Sequence, residues 1–256
     1  MNHWKKLLRK AERALERGRV SEALQLCDQA AFENEESRYS AGLMRGSILL
    51  ELGDAVGALS AFEPLAKPES RDSEVDCARG MALFELARFP EAEAALRSAV
   101  RGGPHLAKAF HTLGLIAEFK GTGEEVRWFR EARSLEPTRF GHRVQLSNAE
   151  FREMVEEAVA ELPSDFVEIV EEIPIVVSEL PIVNELNQLQ PPISPLSLAM
   201  MVGAVRVEHG PADDLEPILF LFKRNIERAF PDPEEMKSAT RRAIIRHFAE
   251  ALGFTQ

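Results

Sequence analysis

The chain predicts an all-α helical repeat solenoid over its first half, followed by a small α+β domain. Three observations carry that reading. Gly46, Gly80 and Gly114 stand 34 residues apart inside stretches that otherwise read as helix. A glycine in a helix interior costs about 1 kcal/mol relative to alanine, so three in one register require a close approach of helices there. The same grammar surrounds each glycine: a first helix, a break at Gly18, Gly53, Ala87 or Gly121, and a second helix with a small residue five positions on. Those small residues are Ala23, Ala58, Ala92 and, more loosely, Val126. In the second half, beyond one more helix, the pattern changes to short apolar runs rich in β-branched or aromatic residues and punctuated by proline and glycine.

Taken in order, four units begin near Trp4, Tyr39, Ser73 and Ala107 and end near Arg139. The first has Ala11 where the others have glycine, and the fourth needs a one-residue shift between its two helices. Pro104 and Pro137 close two of the units, because proline ends a helix but does not continue one. Period, small-residue positions and turn positions together make residues 1–139 resemble tetratricopeptide repeats. The resemblance implies helix pairs that bury their apolar faces only by stacking, with the first helix of each pair lining a concave groove.

With the glycine taken as the eighth position of the repeat, the lining implied by the resemblance is Leu43, Ser47 and Leu50, then Cys77, Met81 and Phe84, then His111, Leu115 and Glu118. The first unit adds Lys5, Leu8 and Glu12. This reading makes the groove largely apolar, and it lacks the lysine and asparagine set with which some members clamp a chaperone's C-terminal carboxylate. An apolar groove with flexible methionine suits an amphipathic helix or an extended apolar segment. Packing between repeats, or cover by the chain's own second domain, would account for the same side chains. Exposure of Leu43, Met81 and Phe84 separates these alternatives.

After a polar linker at 140–149, Phe151, Met154, Val155, Ala158, Val159 and Leu162 describe one amphipathic helix that ends before Pro163. Strands are predicted at 173–177 (IPIVV), 201–207 (MVGAVRV) and 218–222 (ILFLF). A last helix starts at Pro231 and Asp232 and runs to Leu252, with Gly253 as its stop. This succession over 150–256 resembles the minimal zincin-like metallopeptidase domain. That family carries HEIAHHFG or a near variant on its last helix, where two histidines four apart hold zinc and the glutamate activates water. Aligned back from Gly253, the positions fall on Arg246, His247 and Glu250, and none keeps the required chemistry. Arginine has only donors and repels the cation it would have to hold. The domain therefore reads as degenerate, with no metal, no catalytic residue and no cofactor. Arg246 and Glu250, four apart, replace the metal's charge with an internal ion pair. The other reading lets His247 and Glu250 bind metal with a third ligand such as His209.

Composition narrows the partners. The net charge of −11 arises entirely beyond residue 147: the first part carries 22 Lys+Arg against 22 Asp+Glu, the rest 9 against 20. Glu150 to Glu185 holds eleven acids and one base, Arg152. Such a surface disfavours nucleic acid and is either a solvated face or a dock for a basic partner. No apolar run is long enough to span a membrane. The basic start has no apolar core of secretory length, and its stripe of Trp4, Leu7, Leu8, Ala11 and Leu15 reads as a first repeat helix. Cys27 and Cys77 read as small apolar fillers suited to a reducing cytoplasm. No G-x-S-x-G elbow and no phosphate-binding glycine loop is present. The expectation is a non-enzymatic cytoplasmic protein that binds another protein stoichiometrically, as adaptor, chaperone or inhibitor, through the groove, the acidic domain or both. A zinc peptidase with a rearranged ligand set and a constitutive scaffold subunit are the alternatives.

Overall fold

The structure, a computed structural model, describes residues 2–66, 72–103, 105–141, 143–164, 166, 173–186, 192–203 and 217–251. Pro104, His209 and Gly253 lie outside the described residues. The chain divides into two compact units, Met1–Gly141 with Leu189–Ser194, and His142–Gln188 with Pro195–Gln256.

The first unit is a run of helical hairpins: α1 (His3–Glu16) with α2 (Val20–Ala30), α3 (Glu35–Glu51) with α4 (Ala55–Phe62), α5 (Ser73–Glu85) with α6 (Phe89–Gly102), and α7 (Ala107–Lys120) with α8 (Glu125–Leu135). A single turn, α9 (Pro137–Phe140), follows. The breaks that the sequence predicts are left-handed in all four hairpins, with φ of +71° at Gly18, +81° at Gly53, +54° at Ala87 and +61° at Gly121. Ala87 is the one described non-glycine residue with positive φ, a conformation that its Cβ resists.

The glycine register has the expected physical cause. A Cβ built on Gly46 would lie 2.3 Å from the Phe62 ring, one on Gly80 2.5 Å from Leu96 Cγ, and one on Gly114 2.6 Å from the Phe129 ring. The partner is 16 residues downstream in the first two cases and 15 in the third, which is the one-residue shift of the fourth hairpin. Three residues separate α5 from α6, but four separate α7 from α8. α8 buries Trp128 and Ala132 and leaves Val126 60% exposed. The expectation that Val126 fills the role of the fully buried Ala23, Ala58 and Ala92 is corrected accordingly.

Neighbouring hairpins are tied laterally. Tyr39 Oη donates to Asp72 Oδ2 at 2.6 Å, and the other oxygen of Asp72 caps α5 by accepting from Glu74 N and Val75 N. Burial pushes the Tyr39 hydroxyl well above its usual range, and its bond to Asp72 adds to the shift. Asn34 opens α3 with a capping box closed by Ser37, worth about 1 kcal/mol.

The second unit has a three-stranded sheet among its described residues. Strands β1 (Ile175–Ser178) and β2 (Ala199–Val202) flank β3 (Ile218–Phe222). β1 runs parallel to β3 with Ile175 opposite Leu219, and β2 runs antiparallel with Ala199 opposite Leu221. The middle strand is the predicted one. β1 begins two residues later than expected, and β2 spans 199–202 rather than starting at 201; of the predicted 201–207 run, residues 204–207 lie outside the described ones.

Leu219 and Leu221, two apart and so on one face, are fully buried. They share a core with Phe151, Met154 and Val155 of α10 (Asn148–Ala160) and Met236, Ile244 and Phe248 of the last helix. Between these elements lie the short α11 (Val183–Leu186) and α12 (Lys223–Ala229), and the last helix is α13 (Pro233–Ala251). Three of the described acids of the acidic stretch are paired within the unit. Lys237 reaches Glu157 at 3.2 Å and Glu161 at 3.3 Å, Arg241 reaches Glu161 at 2.7 Å, and Arg224 reaches Glu179 at 3.0 Å. Glu150 is spent on the capping box with Ser147 that starts α10. Among the described residues these acids belong to ion pairs and a helix cap as well as to a solvated face.

Candidate functional site

A groove of about 710 Å³ opens on the first helices of the repeat unit. Leu43, Ser47 and Leu50 of α3 and Cys77 and Met81 of α5 line it, and five of the eight residues singled out from the sequence are thereby brought together. Leu43, Leu50 and Met81 are half-buried and Ser47 is exposed, so apolar surface meets solvent here.

The other three are placed elsewhere. Phe84 is 2% exposed and stacks on Phe89 with ring centroids 5.5 Å apart, while Phe119 meets its edge. On α5 it sits one residue off the row Glu74, Cys77, Ala78, Met81, Glu85 that faces the groove. Leu115 is buried inside the repeat core. His111 stacks on Phe140 of α9 at 4.6 Å, and Arg139 of that same turn contributes to the groove wall. The chain's own α9 thus covers His111 on the fourth repeat. In the first repeat Leu8 is core and Lys5 pairs with Glu36 at 3.1 Å.

Charged residues that the sequence reading left out complete the wall. Glu51 and Glu85 hold equivalent positions one repeat apart, and Glu74, Glu136, His105, Lys108 and Arg139 stand beside them. The expected largely apolar groove is therefore mixed: an apolar floor with charge of both signs around it. The 34-residue register alone pairs Glu85 with Glu51; what the sequence could not give is their burial. Glu51 is exposed, whereas burial raises the Glu85 carboxyl above the usual range against the opposing effect of a hydrogen bond from Ser194.

Burial also pushes the Cys77 thiol up to about 11 and the Cys27 thiol to about 11, and both are free. At pH 7 only about one such thiol in ten thousand is ionised. Neither is expected to react with a thiol-directed colorimetric reagent in the folded chain, and both are expected to react once denatured. Fast labelling of Cys77 under native conditions would show a groove more open than this one.

On the last helix, Arg246 Nε and Glu250 Oε1 are 3.9 Å apart with side chains 64% and 53% exposed. At that exposure the pair contributes little to stability. His247 Nδ1 lies 3.5 Å from Glu250 Oε2, and burial, reinforced by Arg246, lowers its pKa. Among the described residues no group of three His, Cys, Asp or Glu side chains could hold a metal ion, and no helix is long and apolar enough to cross a membrane. His209, the third ligand of the alternative metal reading, lies outside the described residues.

The hairpin period and its glycine contacts make the first unit a helical repeat region with a 34-residue period. No family model matches the chain, and no curated protein matches it. Among solved structures it is similar to MamA from Desulfovibrio magneticus, 24% identical over 54% of this chain and 78% of that one, with a TM-score of 0.46. A thermophilic TPR protein of Thermus thermophilus is 22% identical over 66% and 90%, with a TM-score of 0.47. YrrB, described as a TPR protein with an unusual peptide-binding site, is 19% identical over 53% and 70%, with a TM-score of 0.43.

Proposed function

We propose that the chain is a non-enzymatic protein-binding module that takes a peptide segment of a partner into the groove of its repeat unit and regulates that partner stoichiometrically. The observation that carries this reading is the half-exposed apolar row Leu43, Leu50 and Met81 set in a rim of both charges. Apolar side chains supply contact area, and the rim charges fix orientation and reject mismatched segments. The second unit, in this reading, is a zincin-like domain that has lost its metal-binding chemistry at Arg246, His247 and Glu250 and keeps only a surface. Its partner is a protein rather than nucleic acid or membrane, met in the cytoplasm; a peptidase or a secreted client suits a domain of that ancestry.

Met81→Glu tests the reading. It sets a third carboxylate into the row between Glu74 and Glu85 and removes flexible apolar surface. Peptides selected from a displayed random library on the wild-type chain are expected to bind this variant at least about tenfold more weakly, a difference of about 1.4 kcal/mol. Leu43→Glu is expected to act alike, with thermal melting little changed for either. Peptides that bind both variants as well as the wild type would place recognition outside the groove.

A further inference from the structure

The chain leaves the repeat unit at Gly141, yet Pro192–Ser194 belongs to that unit again. Pro192, Ile193 and Ser194 are each half-buried there, and the Ser194 hydroxyl donates to Oε2 of Glu85, a residue of the groove wall. Glu51, at the same register in the preceding repeat, is exposed and solvated. Glu85 is half-buried, and a carboxylate partly withdrawn from water gains from a donor. Ser194 provides one.

Resting on the groove reading above, we propose that Pro192–Ser194 is the chain's own ligand for the Glu85 end of the groove, and that the groove accepts extended proline-containing segments presenting a hydroxyl there. Proline fixes φ in advance, so such a segment loses little freedom on docking. A tethered ligand competes at an effective concentration in the millimolar range, so a partner segment displaces it only by binding better or by engaging more of the groove.

The probe is a fluorescein-labelled peptide with the sequence of residues 188–198, QLQPPISPLSL, titrated by anisotropy against the full chain. Wild type is expected to bind it weakly because the internal copy holds the site. Ser194→Asp sets a second carboxylate against Glu85 and is expected to free the site, raising peptide affinity at least tenfold. Ser194→Ala, which keeps the fold and removes only the donor, is expected to give a smaller rise. Adding Glu85→Leu to Ser194→Asp is expected to abolish the gain. Equal affinity of wild type and Ser194→Asp, or no binding by Ser194→Asp, overturns the self-occupied groove. Library peptides that bind the wild type and lose affinity with Met81→Glu would leave the groove reading standing in that event.

Discussion

Phe62→Ala is expected to lower the stability of the repeat unit by about 3–5 kcal/mol, the cost of emptying a fully buried aromatic site. A loss of that size corresponds to a melting point lower by roughly 10 °C in a chain of this length. Phe62 has no exposed surface, and its ring fills the space that the missing Cβ of Gly46 leaves. The diagnostic part is how the two positions couple. In the wild type, Gly46→Ala sets a methyl 2.3 Å from a ring with no way out; overpacking of about 1–3 kcal/mol outweighs the gain of about 1 kcal/mol in helix propensity. With Phe62→Ala already present the obstruction is gone, so Gly46→Ala then stabilises. A double-mutant cycle by denaturant unfolding reads this change of sign. The same sign in both backgrounds would mean that Gly46 is not there to admit the ring.

Glu227→Ala is expected to be comparably severe for the second unit, about 3 kcal/mol or more. Glu227 is buried, accepts the Leu146 N–H at 2.9 Å and lies 3.5 Å from the buried Lys223 ammonium on the preceding turn of α12. Removing the carboxylate strands both a backbone donor and a cation away from water. Glu179, 4.0 Å from Lys223 Nζ but half-exposed, offsets only part of this. Glu227→Gln keeps an acceptor for Leu146 and loses the charge, so it is expected to fall between Ala and wild type. The double replacement Lys223→Met with Glu227→Gln removes the stranded cation and is expected to recover most of the loss in chemical denaturation. Equal losses for Ala and Gln would reduce the backbone hydrogen bond to a bystander.

The repeats were legible in the sequence because their signal is geometric and periodic. A glycine that recurs every 34 residues marks the place where Phe62, Leu96 and Phe129 cross, and the turn positions must be left-handed for the hairpins to close. The irregularity of the fourth repeat is structural: its glycine meets a partner one residue earlier in the second helix, and Val126 faces outward. The groove was half legible. A register names the residues on a helix face, but two neighbours on that face diverge once a third helix arrives, so Phe84 went into the aromatic cluster while Glu85 stayed on the wall. His111 was lost to α9, a single turn too short to leave a periodic trace. Least legible was Ser194. Its contact with Glu85 spans 109 residues, and no local pattern encodes a contact at that distance.

Asp72 has one oxygen committed to starting α5 and the other to the tyrosine of the preceding hairpin. Fraying at either place withdraws support from the other, since the carboxylate stays put only while both sets of donors hold it. The second and third hairpins are thereby coupled into one melting block, and amide exchange from the two should slow and quicken together, out of step with the hairpins at the ends.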